Sequence, residues 1–234
     1  FACIAKLGTT GCGLEQHLES MMRALDDISN PENIGFLRKT AFLAIVIVAD
    51  EDDCSAEDPG VFDPGQTSVS DPLGPLSSFR CTEFGISCDG GPISRSPASY
   101  DECEPREGSL IRHPQYYVDF VKSLKDDPSL IITAGITGNP EPVGVNIDKD
   151  GKPELLPSCE TSAGKAVAGV RLKYFLDKFP GRSTWVSICN EDLSDALFQV
   201  ADLLRRVIGN PCIDGNVWAD NRVDEYGNAI IDCQ

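Results

Sequence analysis

The run Ala41–Ala49, AFLAIVIVA, constrains the fold more than any other stretch of the chain. It offers no polar position for a solvent-facing side, and Ile45, Val46, Ile47 and Val48 are all β-branched. Such a run reads as a strand over 42–49, buried on both faces as in a parallel sheet sandwiched between helices. Its end is abrupt. Asp50, Glu51, Asp52 and Asp53 follow with no basic residue among them.

The elements around this strand alternate. Apolar spacing predicts helices over 14–26, 114–125, 164–179 and 191–209. Strands are expected over 129–138 and 183–189. Helix, strand, helix, strand, helix, strand, helix is the order of an α/β domain: a parallel, Rossmann-like sheet with helices on both faces. Ligands of such sheets bind outside the carboxyl ends of the strands, and Asp50 stands at one of those ends. Residues 51–110 and 138–163 lack a period and read as irregular insertions. Residues 210–234 form a cysteine-bracketed acidic tail.

Ten cysteines set the compartment: Cys3, Cys12, Cys54, Cys81, Cys88, Cys103, Cys159, Cys189, Cys212 and Cys233. No CxxC pair occurs and His17 and His113 sit near no cysteine pair, which argues against zinc and for structural disulfides in an oxidising compartment. Cys3–Cys12 and Cys212–Cys233 are the favoured local pairs. Cys81, Cys88 and Cys103 cluster in the first insertion, and Cys54 and Cys159 are placed to tie the two insertions. A net charge of −17 repels phosphate backbones and argues against nucleic acid. No apolar run reaches the roughly 18 residues of a membrane span. Phe1 follows neither an initiator Met nor a signal pattern, as in a processed chain or a fragment.

The blocks FACIAKLGTTGCGLEQHL, FLRKTAFLAIVIVADEDDCS, FRCTEFGISCD and VSICNEDLSDAL resemble a von Willebrand factor A (VWA) domain of the cysteine-rich secreted type found in myxobacteria-like bacteria. The resemblance implies a metal-ion-dependent adhesion site. In that family a DxSxS motif, a Thr in a loop before a helix and an Asp ending the fourth strand share a cation. Asp50 matches that Asp and Thr10 the Thr, with Thr9 as the alternative and Asp52 as a further candidate ligand. The cation is expected to be Mg²⁺, with Ca²⁺ or Mn²⁺ as alternatives. No DxSxS occurs in this sequence. By resemblance the three strands correspond to the fourth to sixth of the family, so residues 1–209 are expected to be the C-terminal part of the domain, with its first strands missing from this chain.

The resemblance implies a secreted or cell-surface module, with the periplasm as an alternative. Its expected partners are the N-terminal half of its own domain and a protein or surface ligand bearing a carboxylate. Two other readings stand beside it: a structural subunit of an extracellular assembly with a degenerate metal site, and a secreted hydrolase using the acidic cluster, for which Asp52 and Asp53 form the obvious pair. No GxSxG or nucleophile–His motif supports other catalysis. NIDKDGKPE (146–154) partly resembles a calcium loop, but a hairpin turn at Asp150-Gly151 is the favoured reading. The acidic tail, with Asp214, Asp220, Asp224 and Asp232, reads as an acidic disulfide loop.

Overall fold

The computed structural model describes residues 13–28, 30–162 and 164–209. Thr9, Thr10, Cys3, Cys12, Cys212, Cys233 and the acidic tail lie outside the described residues. The helices are α1 (His17–Leu25), α2 (Phe79–Gly85), α3 (Gln115–Ser123), α4 (Val170–Asp177) and α5 (Ser194–Ile208). The strands are β1 (Leu43–Ala49), β2 (Ile86–Cys88), β3 (Gly91–Pro92), β4 (Ala98–Tyr100), β5 (Cys103–Pro105), β6 (Ile131–Thr137), β7 (Val143–Ile147), β8 (Pro153–Leu156), β9 (Cys159–Glu160), β10 (Lys165–Ala166) and β11 (Ser183–Ser187).

A three-stranded parallel sheet, ordered β1-β6-β11, organises the molecule. Its central strand β6 is buried along its whole length. One face packs Leu43, Ile45, Ile47 and Ala49 against Leu18 of α1, Tyr117, Val118 and Val121 of α3, and Leu172, Phe175 and Leu176 of α4. The other face packs Ile136 and Val186 against Ala196 of α5. Helices therefore cover both faces, as the alternation of elements predicts.

The expectation that the first strand is buried on both faces is not met among the described residues. Leu43, Ile45, Ile47 and Ala49 are buried, but Val46 and Val48 are 49% and 61% exposed. The cause is position: among the described residues β1 is an edge strand, paired only with β6, and α5 sits over the other two strands. A uniformly apolar sequence cannot announce which of its faces is left uncovered. Helix α4 also begins later than its pattern suggests, because Lys165 and Ala166 pair with Glu160 and Cys159 in the antiparallel β9–β10 hairpin.

The insertions are ordered, not irregular. Strands β3-β2-β5 form one small antiparallel sheet, and β4-β7-β8 join the first insertion to the second. The β7–β8 hairpin turns at Asp148–Gly151, as read from Asp150-Gly151. Asp148 Oδ1 accepts the amides of Asp150 and Lys152 at 2.8 Å each, so this carboxylate serves the turn. Gly151 takes a φ of 78°, which disfavours residues with a Cβ.

Three disulfides pin these segments: Cys54–Cys81, Cys88–Cys103 and Cys159–Cys189. The first two staple the first insertion. The third ties the second insertion to the chain just beyond β11. Loop 61–75 has a different organiser. The buried Arg80 guanidinium donates to the carbonyls of Val61, Asp63, Gln66, Gly74 and Pro75. A planar fork with five N–H donors suits such a cage of acceptors.

Candidate functional site: the acidic tip of the first strand

Four successive carboxylates leave β1 at the carboxyl edge of the sheet, and they do different work. Asp53 is fully buried. Its Oδ1 accepts the Leu18 amide at 2.9 Å and the Ser55 hydroxyl at 2.6 Å. Its Oδ2 accepts the Ser55 amide at 3.2 Å and Arg171 Nη2 at 2.9 Å. Arg171 is itself fully buried and also donates to the carbonyls of Asp53, Gly85 and Arg112. An ion pair this deep is tolerated because both of its members are also hydrogen-bonded to the groups around them.

Asp52 faces the opposite way. Its Oδ2 accepts the Arg171 amide at 2.9 Å, and its Oδ1 accepts the amides of Leu172 at 3.1 Å and Asp53 at 2.9 Å. Burial pushes this carboxyl up to about 6, against the opposing pull of the Arg171 charge and these amides.

The reason for such an arrangement is local. Helix α1 begins after Gln16 and α4 after Gly169, and neither residue caps its helix with a side chain. The first-turn amides of both helices therefore need acceptors from elsewhere. Asp53 and Ser55 supply them to Leu18 and Glu19 of α1, and Asp52 supplies them to Arg171 and Leu172 of α4. Negative charge at helix N-termini is also favoured by the helix dipole. The strand tip is a shared cap for two helices. Both carboxylates considered for hydrolysis thus serve the architecture: among the described residues Asp53 accepts four hydrogen bonds and Asp52 three.

Glu51 and Asp50 remain. Burial pushes the Glu51 carboxyl up to about 7, reinforced by the neighbouring carboxylates of Glu15 and Asp50. Asp50 is exposed, and its carboxylate makes no hydrogen bond among the described residues. Its main chain is held: the Asp50 carbonyl accepts the Val167 amide at 2.9 Å, which fastens the β9–β10 hairpin to the strand tip. Beside it lies a cleft of about 300 Å³ lined by Asp50, Thr161, Lys165, Cys189, Asn190 and Glu191 among others. The Cys159–Cys189 disulfide holds the two sides of this cleft together.

The sequence reading placed Asp50 at this edge but missed Thr161, Lys165, Asn190 and Glu191. Two of them follow β11 and two flank the tip of the β9–β10 hairpin. Only the rule that loops at strand carboxyl ends converge could have pointed to them. A second cleft, about 630 Å³, runs along β1 between Ile45–Val48 and Leu14–Met21. His17 Nδ1 is buried near it without a hydrogen-bond partner among the described residues.

A hard divalent cation takes one or two carboxylates, with hydroxyls and water completing its shell. Among the described residues no three His, Cys, Asp or Glu side chains converge as a metal group. Asp50, an exposed carboxylate at the strand end, belongs to no such group among the described residues. No described helix is long and apolar enough to cross a membrane. The chain matches no family model, no curated protein and no solved structure.

Proposed function

We propose that the chain is the C-terminal part of a secreted, VWA-like adhesion module that binds a protein or surface ligand through a divalent cation. The observation that carries this reading is the contrast at the strand tip. Asp52 and Asp53 are engaged by helix amides and Arg171, whereas Asp50, the residue that matches the family's strand-end ligand, is exposed at the carboxyl edge with no side-chain hydrogen bond among the described residues. The three disulfides agree with an extracellular setting.

In this reading Asp50 and Thr10 (or Thr9) hold Mg²⁺, with Mn²⁺ or Ca²⁺ as substitutes, and the N-terminal half of the domain provides the remaining ligands. The cation would offer one open position to a carboxylate of the partner. The chain's own contribution is rigidity. The tip is clamped from below by two helix caps and from the side by the Val167 amide, so the Asp50 backbone has little freedom to lose on binding. Asp52 is not among the ligands of this proposal.

A specific observation favours a second reading, a structural subunit of an extracellular assembly. Val46 and Val48 on the uncovered sheet face, with Leu197 and Phe198 on α5 at 62% and 71% exposure, leave apolar surface of the kind that protein interfaces cover. Calorimetry with Mg²⁺, Mn²⁺ and Ca²⁺ on the intact protein separates the two. Asp50→Ala is expected to abolish cation-dependent ligand binding and leave the fold in place. Equal cation binding by wild type and variant would sink the adhesion reading and leave the structural one.

A further inference from the structure

The opposite edge of the sheet carries a feature that the adhesion reading does not use. At the amino ends of β6 and β11, a cavity of about 310 Å³ is lined by Lys122, Lys178 and Arg182, with Phe179, Ser129 and prolines forming the rest of its wall. No carboxylate lines it. In a chain of net charge −17 that is an unusual concentration of one sign.

The three cations lack a carboxylate partner, as do Arg38, Lys39, Arg80, Arg106, Lys125, Lys149, Lys152 and Lys165 among the described residues, but only these three border one concave space. Arg23, Arg95, Arg112, Arg171, Lys173, Arg205 and Arg206 each lie against a carboxylate. Lys122, Lys178 and Arg182 form no ion pair among the described residues. Arg182 Nη1 donates to the Ser129 carbonyl, which fixes the guanidinium at the cavity wall. Lys122 Nζ stands 5.4 Å from the centre of the Phe179 ring and Lys178 Nζ 4.0 Å from that of Tyr174. Asp127, whose charge is felt by Arg182, is turned to cap the Ser129 amide at 2.8 Å and does not line the cavity.

Helix dipoles account for part of this. Lys122 sits in the last turn of α3 and Lys178 caps α4, both at ends that favour cations. The dipole does not explain Arg182, which lies beyond both helices, nor why all three border one concave space. The geometry points to a binding site for a doubly charged tetrahedral oxyanion, a phosphate or sulfate group, at the amino edge of the sheet. Three positive charges offset a dianion with one to spare, and a guanidinium and two ammonium groups provide donors for its oxygens. The surrounding negative field works against monovalent anions held by a single cation, so a site here would select for charge.

The test is a titration of the protein with inorganic phosphate and, separately, sodium sulfate, at constant ionic strength set with sodium chloride. Backbone amide shifts are followed by NMR. The expected result is saturable shifts confined to residues near 122–130 and 178–183. Lys122→Gln and Lys178→Gln are each expected to weaken binding by about tenfold and together to remove it, with circular dichroism unchanged. Neither lysine makes a hydrogen bond that the fold needs, so both variants should fold. Saturation by one anion and not the other identifies which group the site takes. Shifts that grow without saturating, that chloride reproduces, or that persist undiminished in the double variant would overturn the proposal and leave the lysines as helix-end charges only.

Discussion

Asp53→Asn is the most revealing single change, because the substitution keeps shape and removes only charge and acceptor capacity. The asparagine oxygen can still accept from Leu18 and Ser55 Oγ. Its amide nitrogen then faces two donors, the Ser55 amide and Arg171 Nη2, where Oδ2 now accepts both. Arg171 keeps its three carbonyl partners but loses its only ion-pair carboxylate, in a place with no solvent access. Breaking one side of such a pair costs about 3–5 kcal/mol. For a domain of this size that is a fall in Tm of about 10 °C. Urea unfolding of disulfide-intact protein, followed by tryptophan fluorescence, measures it. The double variant Asp53→Asn/Arg171→Met removes the stranded charge and should be no less stable than Asp53→Asn alone, giving a coupling of about 2–3 kcal/mol. A loss below about 1 kcal/mol for Asp53→Asn, or strict additivity in the cycle, would refute the idea that this pair holds the strand tip to α1 and α4.

Two further outcomes follow from the same geometry. The raised carboxyl of Glu51 binds a proton in the folded state that the unfolded chain releases nearer its ordinary value. Its contribution is therefore full below about pH 4.5 and is lost as pH rises through about 7; Asp52 acts in the same direction up to about 6. Glu51→Gln should flatten this part of the profile and stabilise the protein above neutral pH by about 1 kcal/mol, allowing for solvent screening of a half-buried group. Identical Tm-against-pH curves for wild type and Glu51→Gln would contradict it. Arg80→Lys should loosen loop 61–75, since an ammonium has three donors for the five carbonyls the guanidinium now serves. Faster proteolysis within that loop, with the core unfolding nearly unchanged, is the expected result; an unaltered cleavage rate would remove Arg80 as its organiser.

The sheet was legible because its signals are local. The first two parallel strands are largely apolar runs, the third, STWVS, is marked by its β-branched and aromatic residues, and each helix between them carries its own apolar period. What escaped depends on distance along the chain. The tip of β1 caps α4 across 119 and 120 residues, and nothing in DEDD says which carboxylate will turn toward which helix. The absence of Ser, Thr, Asp or Asn at Gln16 and Gly169 was the available clue that help must come from elsewhere. The short strands of the insertions, two to five residues long, carry too little pattern to read, and β4 finds its partner β7 only through the folded sheet. The place of Asp50 at the carboxyl end of β1 was legible because it rests on strand position alone.

The edge of β1 that has no strand partner among the described residues bears on the same point. Exposed edges are normally blunted by charge, proline or a bulge. LAIVIVA has none of these, and two of its valines face solvent. Covering a valine completely is worth about 1.5–3 kcal/mol, so Val46 and Val48, each about half exposed, together offer roughly 1.5–3 kcal/mol to whatever packs over them. The backbone groups on the side of β1 away from β6, unpaired among the described residues, add their hydrogen bonds to that. In the proposed module this edge receives a strand from the N-terminal half of the domain. A parallel strand laid there would end level with Ala49, which brings its last residues beside Asp50. Completion of the sheet and completion of the cation site then become one event. Among the described residues the Asp50 carboxylate makes no hydrogen bond, because the capping of α1 and α4 is already met by its neighbours, and its charge adds to what raises the carboxyl of Glu51.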